Sequence, residues 1–167
     1  MKVLICFFTL VFFISCSNST KKVKRSVVKA PQVPVSVKLY EGPELPQEKI
    51  VRIVSEQTDS RFMYFISVNG KKINSRSLMN GPGEVLLRPG SHSIQMRFIA
   101  KGKLAIPLKS FSEVNFEKGK TYVVKSNFIF GTGDYISSAK NTKITVWIEE
   151  VGKPKKIGLM TLDGFGR

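Results

Sequence analysis

The 167-residue chain contains two cysteines, one histidine, one tryptophan and 12 acidic residues, against 27 lysines and arginines. So few thiols leave no disulfide framework, and a folded domain must rest on its apolar core. A zinc site draws three or four ligands from Cys, His and carboxylates; a single His excludes the multi-histidine kind, and no metal or other cofactor is expected. The one long apolar run, residues 3–14, is too short for a membrane span of about 20 residues. What is abundant is apolar and basic: 42% hydrophobic residues, 12 Phe and a formal net charge of +15. That apolar content supports a packed core and excludes wholesale disorder. The length fits one domain with an appendage.

Met1 and Lys2 precede the apolar run, and Ser15 and Cys16 follow it. A basic start, about a dozen apolar residues and a small residue before a cut have the form of a secretory signal peptide, assigned here to residues 1–15. Phe13-Ile14-Ser15-Cys16 resembles the bacterial lipobox, although that family usually carries Leu where Phe13 stands. The alternative is an ordinary signal peptide in which Cys16 is incidental. The resemblance implies cleavage before Cys16 and acylation of its thiol. Cys6 would leave with the leader, so no free thiol would remain for redox chemistry. Each buried methylene is worth about 0.8 kcal/mol, so two or more chains hold stably where one does not. The family's inner-membrane retention signal is Asp after the Cys; Ser17 stands there, which implies the outer membrane of a bacterial envelope.

Residues 16–38 read as the lipidated Cys followed by a flexible basic linker. Lys21, Lys22, Lys24, Arg25 and Lys29 lie here with no acid among them, and Pro31 and Pro34 stiffen the second half. The cations serve equally as a self-repelling spacer and as a polybasic strip against an anionic surface, at about 1 kcal/mol per charge. All 12 acids fall in the remaining segment, 39–167.

That segment reads as short strands. Apolar runs or period-two alternation occur over 50–54, 62–68, 84–88, 91–98, 121–130 and 143–150. His92, Ile94, Met96 and Phe98 share one face, as do Ile144, Val146 and Ile148 with Trp147 opposite. In the stretch 111–117, Phe111 falls with Glu113 on the face opposite Val114 and Phe116. Asn69-Gly70, Pro89-Gly90 and Gly119 supply turns. Residues 151–167 form a loose tail or contribute an edge strand over 157–162. The expected fold is all-β, an antiparallel β-sandwich of immunoglobulin-like type.

Three stretches resemble small bacterial lipoproteins with a PEGA-like β-sandwich. They are Leu39-Tyr40-Glu41-Gly42-Pro43-Glu44-Leu45-Pro46, then Val68-Asn69-Gly70-Lys71 with Glu84-Val85-Leu86-Leu87-Arg88-Pro89-Gly90-Ser91-His92 after it, then Glu117-Lys118-Gly119-Lys120-Thr121-Tyr122. The likeness covers about half the domain. It implies the same sandwich and no catalytic residue, because the shared positions are turns and core. Residues 73–83 depart from it as an insertion, with Asn80-Gly81-Pro82-Gly83 expected as an exposed loop.

Reactive constellations are scarce. His92 follows a turn and reads as a turn histidine satisfied by backbone; its neighbours Ser91 and Ser93 point away from it on a strand, so no triad forms locally. Glu149 and Glu150 face opposite sides; Glu113 and Glu117 share a face but lie ~13 Å apart, beyond the ~5–9.5 Å that glycoside hydrolysis uses. Gly131-Thr132-Gly133-Asp134 lacks the Gly-Lys-Ser/Thr ending of a phosphate loop. Phe62, Tyr64, Phe65, Phe128 and Phe130 could stack nucleic-acid bases, but a sandwich needs them in its core, and no nucleic-acid partner is expected. Lys71, Lys72, Lys101, Lys103, Lys118 and Lys120 read as a soluble surface or as a basic face. The functional expectation is a non-enzymatic lipoprotein of the envelope whose sandwich binds or braces another envelope protein. The alternative is a binder of anionic envelope polymer, lipopolysaccharide or acidic glycan. An exposed apolar edge would favour the first, clustered lysines the second.

Overall fold

The structure, a computed structural model, describes residues 35–74, 81–100, 104–132 and 141–163. The leader, Cys16, the tether cations Lys21, Lys22, Lys24, Arg25 and Lys29, and also Asn80, Lys101, Lys103 and Asp134, lie outside the described residues.

Chain order gives β1 (Ser36–Lys38), β2 (Val51–Ser55), β3 (Arg61–Val68), β4 (Lys71–Lys72), β5 (Glu84–Leu87) and β6 (Gly90–Ala100). Then come β7 (Leu104–Pro107), β8 (Phe111–Phe116), β9 (Thr121–Ile129), β10 (Lys143–Glu150) and β11 (Lys156–Asp163). One sheet has the order β1-β5-β2-β9-β10-β11; the other runs β4-β3-β6-β7, with β8 also on β6. Together they make the expected all-β sandwich. The first sheet is mixed: β1 runs parallel to β5 and β2 parallel to β9, while its other neighbours are antiparallel.

Period-two patterning explains which side chains go inside. Val51 and Ile53 of β2, Val85 and Leu87 of β5, Tyr122 and Val124 of β9, and Ile144, Val146 and Ile148 of β10 face Met63, Phe65, Ile94, Met96, Phe98 and Phe116 in one continuous core. The Asn69-Gly70 turn joins β3 to β4 with φ of 51° and 74°. Both central residues of a type I′ hairpin need positive φ, which Asn and Gly tolerate.

Sequence reading and structure part at three places. Phe111 was expected to face away from Val114 and Phe116, yet all three are buried. Ser112 and Glu113 together stand opposite the single Ser93, and Glu113 adopts φ 53°. The extra residue is a β-bulge, and it inverts the parity of the strand. The segment 81–83 was expected to be an exposed loop, but Pro82 and Gly83 are buried. Phe65 N–H donates to the Pro82 carbonyl at 3.0 Å and Ser55 N–H to that of Gly83 at 2.8 Å, so this segment ties β3 of one sheet to β2 of the other. Residues 36–38, assigned to the linker, form β1, so the sandwich begins before Leu39.

The tail after Val151 resolves as a full edge strand. β11 pairs with β10 along its length and its inner residues Met160 and Leu162 pack on the core. A Cβ on Gly158 would sit 3.3 Å from Val114 and 3.4 Å from Phe111, so a small residue lets β11 close against β8.

Candidate functional site

Strand direction gathers a particular set of loops. β2 begins, β3 and β5 end, β6 begins, β8 ends and β9 begins at the same end of the sandwich, where β10 ends as well. The turns at 69–70, 88–90, 117–120 and 151–155 and the segment 39–50 therefore share this end, with Lys71, Lys72, Arg88, Lys118, Lys120, Lys153 and Lys155 on them.

His92 belongs to its framework. A carbonyl only accepts, so Nε2 carries the proton it donates to Arg88 O at 2.8 Å. Nδ1 then accepts from the Asn69 side-chain amide at 2.9 Å, and Asn69 Oδ1 accepts from Ser93 N–H at 2.9 Å. The network ties the β3–β4 hairpin to the β5–β6 turn and occupies both ring nitrogens, one with the backbone expected for a turn histidine and the other with the Asn69 side chain.

Beside it the two sheets part, and a cleft of about 520 Å³ opens. Its floor is core: Val68 and Leu87 are buried and Leu39 packs partly on the same cluster. Asn69 and His92 line a wall, while Tyr40, Glu41, Lys71 and Arg88 complete the lining. The side chains of Glu41, Lys71 and Arg88 make no ion pair among the described residues. Among the described residues, the Arg88 guanidinium donates to the Glu41 carbonyl, at 3.4 Å. Tyr40 is held by Leu45 N–H donating to its hydroxyl at 3.2 Å and by Lys38 over its ring. No single run of sequence signals this cleft, because three segments make it.

Five of the other ten described acids, Glu56, Glu84, Glu149, Glu150 and Asp163, are held in ion pairs elsewhere. Arg52 holds Glu84 at 2.7 Å across β2 and β5. This hydrogen bond lowers the Glu84 pKa, burial opposes it, and the Ser36 hydroxyl of β1 assists. Glu149 is lowered by Lys125 first and by the Trp147 indole N–H in addition, whereas Glu150 is lowered by Lys120 and Lys153. A carboxylate with a lowered folded pKa stabilises the fold above its ordinary value of about 4.5, and that contribution fades as pH falls through the lowered value. The urea midpoint should thus hold from pH 7 to about 5 and fall below about 4.5. Glu84→Gln should lower it at pH 7 and flatten the acid limb; an unchanged limb would refute the role given to Glu84.

Among the described residues, no group of three or more His, Cys, Asp or Glu could hold a metal ion, and no helix is long and apolar enough to cross a membrane. The aromatic set divides. Tyr64 and Phe65 are buried and Phe128 meets Phe98 edge-on at 5.4 Å, leaving Phe130 as the exposed member. β11 shows the opposite balance: Leu159 is 62% exposed and Ile157 36%, and Val151 in the turn before the strand is 58% exposed. Leu159 stands opposite Trp147 in the register, and Lys156 lies 4.7 Å over the Trp147 ring. Comparison of the chain with protein-family models, curated proteins and solved structures finds no match.

Proposed function

We propose that this protein is a non-enzymatic lipoprotein of the bacterial envelope, moored to the outer membrane through Cys16, whose sandwich binds or braces another envelope protein. One observation carries the binding role. β11 is an eight-residue edge strand hydrogen-bonded on one side only among the described residues, with Leu159 and Ile157 exposed on it and Val151 exposed in the turn that leads into it. Unpaired strand edges are templates for a partner's main chain, and exposed apolar side chains beside them add contact area. The lipobox resemblance at Cys16 supports the mooring, and the cations from Lys21 to Lys29 support contact with an anionic surface.

A second reading, binding of anionic envelope polymer, draws on the lysines collected at the loop end. Lys71, Lys72 and Lys118 make no ion pair among the described residues. Lys120 and Lys153, by contrast, are engaged with Glu150 at 3.1 and 3.2 Å. This engagement reduces the free charge there and favours the protein partner.

The test places a photo-crosslinking amino acid at Leu159 in the full chain in its native cells, with Asp59 as an exposed control. A discrete protein adduct from position 159 alone, in the membrane fraction, is the expected result. Cys16→Ala should move the chain to the soluble fraction and deplete the adduct. Equal adducts from both positions would remove the edge-strand role, a polysaccharide adduct would favour the second reading, and retention of Cys16→Ala on membranes would refute the anchor.

A further inference from the structure

We propose that the cleft between residues 39–41, the β3–β4 hairpin and the β5–β6 turn captures the C-terminal carboxylate of a peptide whose last residue is apolar. This goes beyond the proposed use of β11 and needs neither that edge nor the anchor.

The composition of the cleft selects the ligand. Val68 and Leu87 give it an apolar floor continuous with the core, so an apolar side chain can replace water there. Lys71 and Arg88 line it as exposed cations with no described acid as partner. A carboxylate is the group such a pair takes best, because Arg presents a planar fork and Lys a mobile point charge. Capture of a chain-terminal carboxylate is a recurrent mode of peptide recognition. Glu41 decides between a peptide and other acids. Its free carboxylate lines the same cleft, so it repels polyanions and finds no counterpart on a fatty acid, whereas a basic residue just before a peptide's C-terminus would pair with it. The wall is set before binding: Asn69 and His92 are locked to each other and to Arg88 O and Ser93 N–H, so little ordering cost falls on association.

The experiment measures fluorescence polarisation with the full chain in detergent micelles. The probes are labelled six-residue peptides ending Ala-Lys-Leu or Ala-Ala-Leu, each as the free acid and as the amide. The free acids should bind and the amides bind about tenfold more weakly or worse, the loss typical of a charged hydrogen-bonding partner. Lys71→Ala and Arg88→Ala should each weaken the free acids by about the same factor, and Glu41→Gln should weaken only the peptide with Lys before Leu. The three side chains are exposed, so thermal midpoints should match the unaltered chain, which separates lost binding from lost fold. Equal affinity for acid and amide, indifference to Lys71→Ala and Arg88→Ala, or no binding at millimolar peptide would each overturn the proposal. Displacement of both peptides by decanoate, unaffected by Glu41→Gln, would overturn the peptide assignment in favour of an acyl ligand. Crosslinking at Leu159 reads a different surface, so either reading can fail alone.

Discussion

Phe98→Ala should lower the free energy of unfolding by about 3–5 kcal/mol, the usual cost of deleting a buried aromatic ring. Phe98 is fully buried in β6, pairs with Met63 on β3 and Ile106 on β7, and meets the ring of Phe128 edge-on. It therefore touches both sheets, and no neighbour can collapse into the space without breaking one of these contacts. Residues 35–167 contain no cysteine, so no cross-link offsets the loss. Domains of this size have about 5–15 kcal/mol in total, so the variant should sit near its unfolding transition at 37 °C. Urea titration should show a lower midpoint at an unchanged slope. Ile129→Ala, at a position 63% exposed, should move the midpoint by no more than about 0.5 kcal/mol equivalent. Similar losses in the two variants would show that the core is not organised around Phe98.

Gly81→Ala should cost about 1–3 kcal/mol through overpacking. A Cβ at Gly81 would lie 2.1 Å from Cδ2 and 2.7 Å from Cγ of Tyr64. Tyr64 is 2% exposed, Arg97 lies 5.8 Å over its ring, and the Tyr64 hydroxyl accepts from the Arg97 guanidinium at 3.1 Å. The ring has no room to withdraw, so the segment at Pro82 must move and strain its hydrogen bond from Phe65. A double-mutant cycle isolates the cause: in a Tyr64→Ala background the added methyl gains space and its cost should shrink. If the cost is the same in both backgrounds, the clash with Tyr64 is not its origin.

The strands legible in the sequence were those long enough to show a period. β6 and β10 alternate over eight or more residues, and both bury the faces that their alternation indicates. β1, β4 and β7 have two to four residues each, too few for any period, and β1 in addition pairs with a strand distant in sequence, Ser36 opposite Glu84. Phe111 was misplaced because a single residue at positive φ inverts a strand's parity, and nothing in Ser112-Glu113 advertises it: Glu is an unusual occupant of that conformation. Pro82 was misread because Gly-Pro-Gly composition signals a surface turn, whereas the Phe65 amide needs its carbonyl inside. His92 was legible, since a histidine just after a tight turn has backbone carbonyls within reach. The cleft was not, because it exists only once register brings residues 39–41, 68–71 and 87–92 together.

The parallel pairing of β2 with β9 sets the order in which the molecule can assemble. Arg52 aligns with Thr121 and Ser55 with Val124, a separation of about 70 positions. Closing so wide a loop costs entropy before any contact compensates it, which slows the search for the native arrangement. Until β9 arrives, one flank of Val51–Ser55 stays open, so a growing chain cannot complete its first sheet from its own first half.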